Sequence, residues 1–359
     1  MVDFTAKWVS MAFLAGPLAL YSERRYRNLP ELPQHASIHA LPTLSIIVPA
    51  RNEAANLQRL LPSLTSISYP GVSELIVVDD NSTDETACIA REHGARVIQL
   101  IDLPEGWSGK TYACHQGASV ASGEWLLFTD ADTIHHPCGP SQAVAYAIAN
   151  GLDGLSIFFR QITSMGLDGL ALLVAFAGLF AGLGTDNAII NGQYILLHRD
   201  VYKNSGGFSS VAGESMEDLA LGHLLRAEGY QVPLLRSDYA ASVQMYTNTT
   251  SLWQGLMRLG AGSLRWLGAR SLIAALFVTG VMTPILALVT AFQLRQKRKW
   301  AVASWAVIAL SFVPWARRFG SIRLAFLAPL GALVVQVASV WGLIQRLFGR
   351  GTRWKGRRV

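Results

Sequence analysis

Apolar positions along this chain come in two textures. From Leu44 to Asp132, short apolar runs alternate with amphipathic stretches: "LSIIVPA", "ELIVVDD", "RVIQLI" and "EWLLFTDAD" predict strands. "EAANLQRLLPSL", "TDETACIAREHG" and "TYACHQGASVAS" between them predict helices. Short buried runs alternating with helices predict a parallel sheet covered by helices on its faces, an α/β arrangement. Elsewhere the apolar runs lengthen. "WVSMAFLAGPLALY" (8–21), residues 165–184, 271–294, 300–315 and 324–344 approach or reach membrane scale, with 300–315 short.

These textures divide the chain into a membrane anchor (1–28), an α/β domain (40–262) and a C-terminal membrane region (263–359) of two to three hydrophobic helices and a basic tail. The prolines Pro30, Pro33 and Pro42 predict an extended linker after the anchor. The run at 165–184 is long enough to span a bilayer. Spanning would separate the polar residues up to Asp132 from those at Glu217 and Asp218, so an interfacial or buried helix is the preferred reading.

Composition agrees with a membrane protein. Only 15% of the 359 residues are charged and 51% are hydrophobic. The net charge of +6 gathers at the edges of apolar runs, in "ERRYR", "RQKRK", "ARRFGSIR" and "RGTRWKGRR". Such clusters mark membrane flanks, and no basic motif interleaved with aromatics points to nucleic acid. "SERRYR" after the first run predicts an outer N-terminus and a domain facing the cytoplasm. Three crossings after the domain would leave the basic tail outside, against the positive-inside rule; a re-entrant hairpin bent at Pro284 is the alternative. Cys88, Cys114 and Cys138 have neither metal-finger spacing nor an obvious pairing and predict core packing in a reducing compartment.

Polar groups follow each predicted strand: "PARNE", "VDDNSTDE", "GWSGK" and "DAD". In open α/β sheets ligands lie beyond the carboxyl ends of the strands. "GWSGKT" ends like a phosphate loop, but Pro104 stands where its first glycine belongs. Lys110 remains a candidate counter-ion for phosphates. Asp130 and Asp132, two apart on an extended chain, point to one face and suit a shared Mg²⁺ or Mn²⁺. Asp79 and Asp80 diverge, one reaching a uracil or ribose and the other the metal or the core. Asp84 is a candidate helix cap, and Trp107 a candidate for stacking on a base or sugar or for core packing. His135 and His136 predict a partly exposed loop pair.

"IIVPARNEAANL", "LIVVDDNSTDET", "GWSGKTYACHQGA", "LLFTDAD" and "ESMEDLALGHLLRAEGY" together resemble family 2 glycosyltransferases. "NGQYILLHRDVYKNSGGF" narrows the resemblance to membrane-anchored members associated with carotenoid glycosylation and hopanoid synthesis. The resemblance implies a GT-A fold (Rossmann-like, mostly parallel sheet), a nucleoside-diphosphate sugar donor such as a UDP-sugar, a divalent metal and an inverting displacement. By position, Pro49, Ala50, Asn52 and Glu53 would line the nucleotide pocket with Asp80. Asp130 and Asp132 match the DxD motif, and Glu217 and Asp218 the ED motif, whose Asp is the usual base.

The chemistry asks for that base independently, because an acceptor hydroxyl attacking the anomeric carbon must lose its proton. Processive synthases of this family carry Q-x-x-R-W. Here Arg258 stands four after Gln254 with Leu259 following, which argues against a polymerising enzyme and leaves Arg258 a diphosphate contact. His115 replaces a common Asn. The apolar run between the two halves of the site predicts a lipophilic acceptor, and the resemblance implies a carotenoid, hopanoid or other lipid accepting on a hydroxyl or carboxyl. Leu172, Phe176 and Phe180 would line its lipid-facing entrance. A non-catalytic nucleotide-binding scaffold is the opposing reading.

Overall fold

The computed structural model describes residues 4–34, 40–164, 166–182, 189–214, 216–267, 269–293, 298–348, 353–354 and 357–358. Residues 165 and 183–184 of the third apolar run, 295–297 of "RQKRK" and most of the basic tail lie outside the described residues. The chain forms two compact units: residues 29–160 with 186–244, and residues 1–28 with 161–185 and 245–358.

In chain order the elements are α1 (Phe4–Arg27), β1 (Leu44–Ala50), α2 (Ala54–Thr65), β2 (Ser73–Asp80), α3 (Thr86–Glu92), β3 (Arg96–Leu100) and α4 (Gly109–Val120). There follow β4 (Trp125–Thr129), β5 (Thr133–His135), α5 (Gly139–Ala149), β6 (Gly154–Gln161), α6 (Leu167–Gly182), β7 (Tyr194–His198) and α7 (Arg199–Asn204). A 3₁₀ turn (Gly207–Val211) precedes α8 (Glu217–Ala227) and β8 (Leu234–Val243); then come α9 (Thr249–Leu267), α10 (Ala269–Gln293), α11 (Arg298–Arg318), α12 (Arg323–Phe326) and α13 (Ala328–Leu347).

The first unit holds an eight-stranded mixed sheet in the order β3-β2-β1-β4-β7-β6-β8-β5. β3, β2, β1 and β4 are parallel, whereas β7 runs antiparallel to both β4 and β6 and β5 antiparallel to β8. Burial explains the apolar runs: Ile46, Ile47, Val48, Ile76, Val77, Val78, Leu126 and Leu127 are covered on both faces. α4 lies so close to β1 that a Cβ on Gly117 would sit 2.4 Å from Ile47 Cγ2, so the glycine sets the packing distance.

β1 keeps register with β2 to Ala50↔Asp79 but with β4 only to Ile47↔Phe128. The two strands therefore part at Pro49, a residue with no N–H to offer β4. That parting opens the sheet where the chain order reverses, the position at which such sheets bind ligands.

The second unit is helical. α1 runs antiparallel to α10, with Thr5 Oγ1 donating to Thr290 Oγ1 (3.1 Å) at one end and Gly280 packed on Ala15 and Met11 further along. It runs parallel to α11: Gly16 meets Val307 and Ser311, Trp315 Nε1 donates to Ser22 Oγ (2.9 Å), and Arg318 pairs with Glu23 at 2.8 Å. Glu23 is buried and also holds Arg27 at 2.9 Å. α10, α11 and α13 are long and apolar enough to cross a membrane.

Several sequence expectations need correction here. α10 is one continuous helix through Pro284, not a hairpin; Thr283 Oγ1 donates to Gly280 O (2.6 Å), the carbonyl that proline leaves without its helical donor. The short run at 300–315 extends to 21 residues, because its charged flanks join the helix. α6 packs on α1, α9, α10 and α13. Leu172 and Phe180 are buried there, Phe180 against Tyr26 and Trp315, so neither lines an outward entrance. Phe176 lies against Phe319. Cys88 is exposed and carries no packing role.

Candidate active site

Two loops at the ends of β1 and β2 lock together. Asn52 and Asn81 both adopt left-handed backbone (φ 51° and 53°), which asparagine tolerates. Asn52 N donates to Ser82 Oγ at 2.9 Å, and Asn52 Oδ1 accepts from Thr83 N at 2.8 Å. Asp84 accepts from Ala54 N (3.1 Å) and Thr86 N (3.1 Å), capping the start of α2 as well as that of α3. Glu53 N donates to Thr86 Oγ1 at 2.8 Å. Asp79 turns inward, accepting from Ser82 N and Gln99 Nε2. Asp80 faces Arg51, whose Nη1 lies 3.8 Å from Asp80 Oδ2 and donates to Asp80 O at 2.6 Å. Arg51, between two residues singled out from the sequence, escaped that reading because its role needs β1 and β2 paired.

The other half of the site gathers at the parted strands. Ser108 caps α4 by accepting from Thr111 N (3.2 Å), which puts Lys110 in the first turn of the helix. Its Nζ lies 2.7 Å from Asp130 Oδ1, 2.9 Å from Glu217 Oε1 and 3.4 Å from Gly192 O. Burial works against the charge on Lys110, yet the two carboxylates hold it well above the usual lysine range. The phosphate-loop likeness of "GWSGKT" is thus a helix start that delivers one ammonium between two carboxylates. A tight recess here is lined by Pro49, Lys110, Cys114, Asp130, Gly192 and Glu217, among others. Burial pushes the Cys114 thiol up, and the Lys110 charge opposes it.

Asp218 opens α8 beside Glu217. Its Oδ2 accepts from Gly192 N (3.2 Å) and its Oδ1 from Leu219 N (2.9 Å). A Cβ on residue 192 would lie 3.1 Å from that of Asp218, so the glycine permits the approach. Burial and the neighbouring Glu217 charge push the Asp218 carboxyl up to about 6, against Lys110 and the two N–H donors. Gly192 was missed as a site residue; "NGQ" was read as a subgroup mark, not as the strap that touches both Lys110 and Asp218.

Asp130 and Asp132 do not lie on an extended strand. β4 ends at Thr129, and Thr133 N closes a turn onto Asp130 O at 3.3 Å. Their geometry is that of a tight turn between β4 and β5. Among the described residues no three His, Cys, Asp or Glu side chains cluster closely enough to hold a metal ion alone. Two carboxylates on one turn fit a hard divalent cation that takes its other ligands from phosphate and water.

His135 is not in an exposed loop: it lies on β5, buried, while His136 is exposed. Trp107 packs over α4, 5.3 Å from the Tyr112 ring and 5.1 Å from that of His115, whose pKa burial lowers. Ala50 is buried at the end of β1. Arg258 belongs to α9 in the helical unit.

Residues 45–203 match the family model described as Glycosyl transferase family 2. A 4,4'-diaponeurosporenoate glycosyltransferase of Staphylococcus aureus is 29% identical over 267 residues, 70% of each chain. The same enzyme from a second strain is 28% identical over 292 residues, 77% of each chain. Among solved structures, the mannosyltransferase of Pyrobaculum calidifontis, in complex with GDP-Man and Mn²⁺, is similar with a TM-score of 0.62 at 19% identity, covering 94% of this chain and 98% of that one.

Proposed function

Starting from a chain that is a family 2 glycosyltransferase of GT-A fold, we propose that it is a membrane-bound inverting enzyme. It transfers a sugar from a nucleoside-diphosphate sugar, a UDP-sugar foremost, to a hydroxyl or carboxyl of a lipophilic acceptor. The scaffold reading falls with the family assignment. The observation that carries the reading is the convergence of Lys110, Asp130 and Glu217 on one recess where β1 and β4 part, with Asp218 held beside it by the recess-lining Gly192.

In this reading the donor's nucleotide lies along Pro49, Ala50, Asn52, Glu53 and Asp80, with Asp79 holding the loop from the inner side and the diphosphate at Lys110 and Asp130. Asp130 and Asp132 would hold Mg²⁺ or Mn²⁺, which when bound offsets charge developing on the leaving diphosphate. Lys110 supplies a second positive charge there, kept in place by Glu217. Asp218 takes the acceptor's proton as the new bond forms on the face opposite the leaving group. A carboxyl titrating at about 6 is ionised at neutral pH yet basic enough to accept that proton.

The acceptor's chemistry sets how much Asp218 matters. The name of the Staphylococcus aureus relative specifies a carboxylic acid acceptor. A carboxylate is already ionised at neutral pH and needs no base, whereas a hydroxyl does. Transfer to a hydroxy-lipid and to an apolar carboxylic acid, each with wild type and Asp218→Asn, tests the reading. A loss of about 10²–10⁴-fold on the hydroxyl acceptor with little loss on the acid is expected. Equal, small effects on both would remove Asp218 as base.

The membrane reading rests on α10, α11 and α13, with α1 packed along α10 and α11. Arg24, Arg25, Arg27, Arg317, Arg318 and Arg323 gather where α1 and α11 end, while Lys7, Arg298 and Lys299 lie at their beginnings. Taking the first helix as the orienting one, Arg24, Arg25 and Arg27 set the proposed cytoplasmic end, with the catalytic domain on that side; three crossings then place the basic tail on the opposite side, against the positive-inside rule.

A further inference from the structure

Behind the acidic turn lies a buried polar cluster that the reaction scheme above does not use. His135 Nε2 is 2.9 Å from Thr129 Oγ1 and 3.2 Å from Thr133 Oγ1. All three side chains are buried. Each hydroxyl has a carbonyl within reach of its proton. Thr133 Oγ1 donates to Asp130 O at 2.8 Å, and Thr129 Oγ1 to Gln193 O at 3.1 Å. The two hydroxyls also lie 3.0 Å from each other; with each proton given to its carbonyl, both oxygens face His135 as acceptors and Nε2 is the donor. The Nδ1 side agrees: it is buried with no hydrogen-bond partner among the described residues, and a buried lone pair left over costs less than a buried N–H left over.

The two carbonyls matter more than the ring. Asp130 O belongs to the acidic turn. Gln193 O belongs to the Asn191–Gln193 strap and also accepts from Asp130 N at 3.4 Å. One residue earlier in that strap, Gly192 N holds Asp218 Oδ2 and Gly192 O meets Lys110. The strap's other side is anchored by Asn191, whose N donates to Ser156 Oγ (2.6 Å) and whose Nδ2 donates to Ile157 O (2.8 Å). His135 itself is fixed by its strand and by its own N–H donating to Ser63 Oγ at 3.0 Å.

We propose that His135, as the Nε2–H tautomer, is a positioning residue that clamps the acidic turn to the Asn191–Gln193 strap and thereby sets the spacing between the Asp130 and Asp132 carboxylates and Asp218. The inference rests on the roles given to those carboxylates above. It adds a part that touches neither donor nor acceptor and acts through Thr129 and Thr133.

His135→Gln keeps an N–H donor near the position of Nε2, whereas His135→Leu keeps bulk and removes the donor. Full-length protein in detergent serves for three measurements. Nitrogen NMR of labelled histidines, with His135 assigned by its loss in His135→Gln, reads the tautomer; Nε2–H is expected, and Nδ1–H overturns the proposal. Hydrogen exchange should quicken in 128–134 and 191–196 for His135→Leu and stay near wild type for His135→Gln. No change in either segment, or an equal rise throughout the domain, overturns it. Half-activation by Mn²⁺ should rise about tenfold in His135→Leu, the usual cost of losing an outer hydrogen-bond partner, and recover in His135→Gln. Absence of any Mn²⁺ dependence in wild type would count against the metal reading, while the first two measurements would still decide the role of His135.

Discussion

Lys110 Nζ lies 2.7 Å from Asp130 Oδ1, so the lysine of the "GWSGK" loop and the first carboxylate of "DAD", twenty residues apart in the chain, form one ion pair in the recess. Glu217 completes the bridge from the other side. A cation shared by two carboxylates has a consequence for ion binding. Lys110→Gln leaves both carboxylates without it, and a divalent ion then has more charge to neutralise. Saturating Mn²⁺ should raise the melting temperature of Lys110→Gln more than that of wild type, while donor binding weakens. Equal shifts in a thermal-shift titration would contradict the shared role.

Donor binding and transfer should separate by mutation. Asp132→Asn is expected to weaken Mn²⁺-dependent nucleotide binding by about ten- to a hundredfold. Asp218→Asn is expected to bind nucleotide as wild type does and to lose transfer to a hydroxyl. Calorimetry with UDP and Mn²⁺, beside turnover, checks the division; matched losses of binding in both variants would refute it.

The pH profile follows from the Asp218 carboxyl at about 6. The base form exists above that value, so the hydroxyl-transfer rate should climb through about pH 6 and level off by neutrality. Stability runs the other way. A carboxyl raised in the folded state above its unfolded value near 3.9 favours folding while protonated, and that contribution is lost as pH rises from about 4 to about 6. Asp218→Asn cannot ionise, so its melting temperature should gain on wild type over this interval and run parallel above it. A constant offset from pH 4 to 7 would show that the carboxyl is not raised.

In the helical unit, Glu23 is buried between Arg27 and Arg318. Glu23→Ala strands Arg318 and should destabilise by about 1–3 kcal/mol, the lower range because Arg318 retains some exposure. Adding Arg318→Met should recover part of the loss. Additive losses in detergent unfolding would mean that the two residues do not act as a pair.

Orientation is testable with cysteines. A thiol placed at Arg323 should react in intact cells only with a membrane-permeant reagent, and one at Lys299 also with an impermeant one. The reverse pattern would invert the proposed topology.

The sequence exposed the strand ends well, because parallel strands buried on both faces read as unbroken apolar runs and everything polar after them stands out. Lys110 and Asp130 were singled out that way, and Glu217 and Asp218 by the resemblance carried by "ESMEDLALGHLLRAEGY". The geometry of Asp130 and Asp132 was misjudged because the end of β4 depends on a hydrogen bond from Thr133, which no periodicity reports. His135 looked exposed because its burial comes from pairing with β8, more than a hundred residues later. Glu23 looked like part of a charged flank because its partner Arg318 lies 295 residues away.

The parting of β1 from β4 at Pro49 is made by main chain, and this bears on how such an enzyme can diversify. A cleft framed by two separating strands stays open when the side chains along it are exchanged. Substitution there can retune which base or sugar is welcomed while the catalytic frame is inherited unchanged, so donor preference and folding can evolve as nearly separate traits.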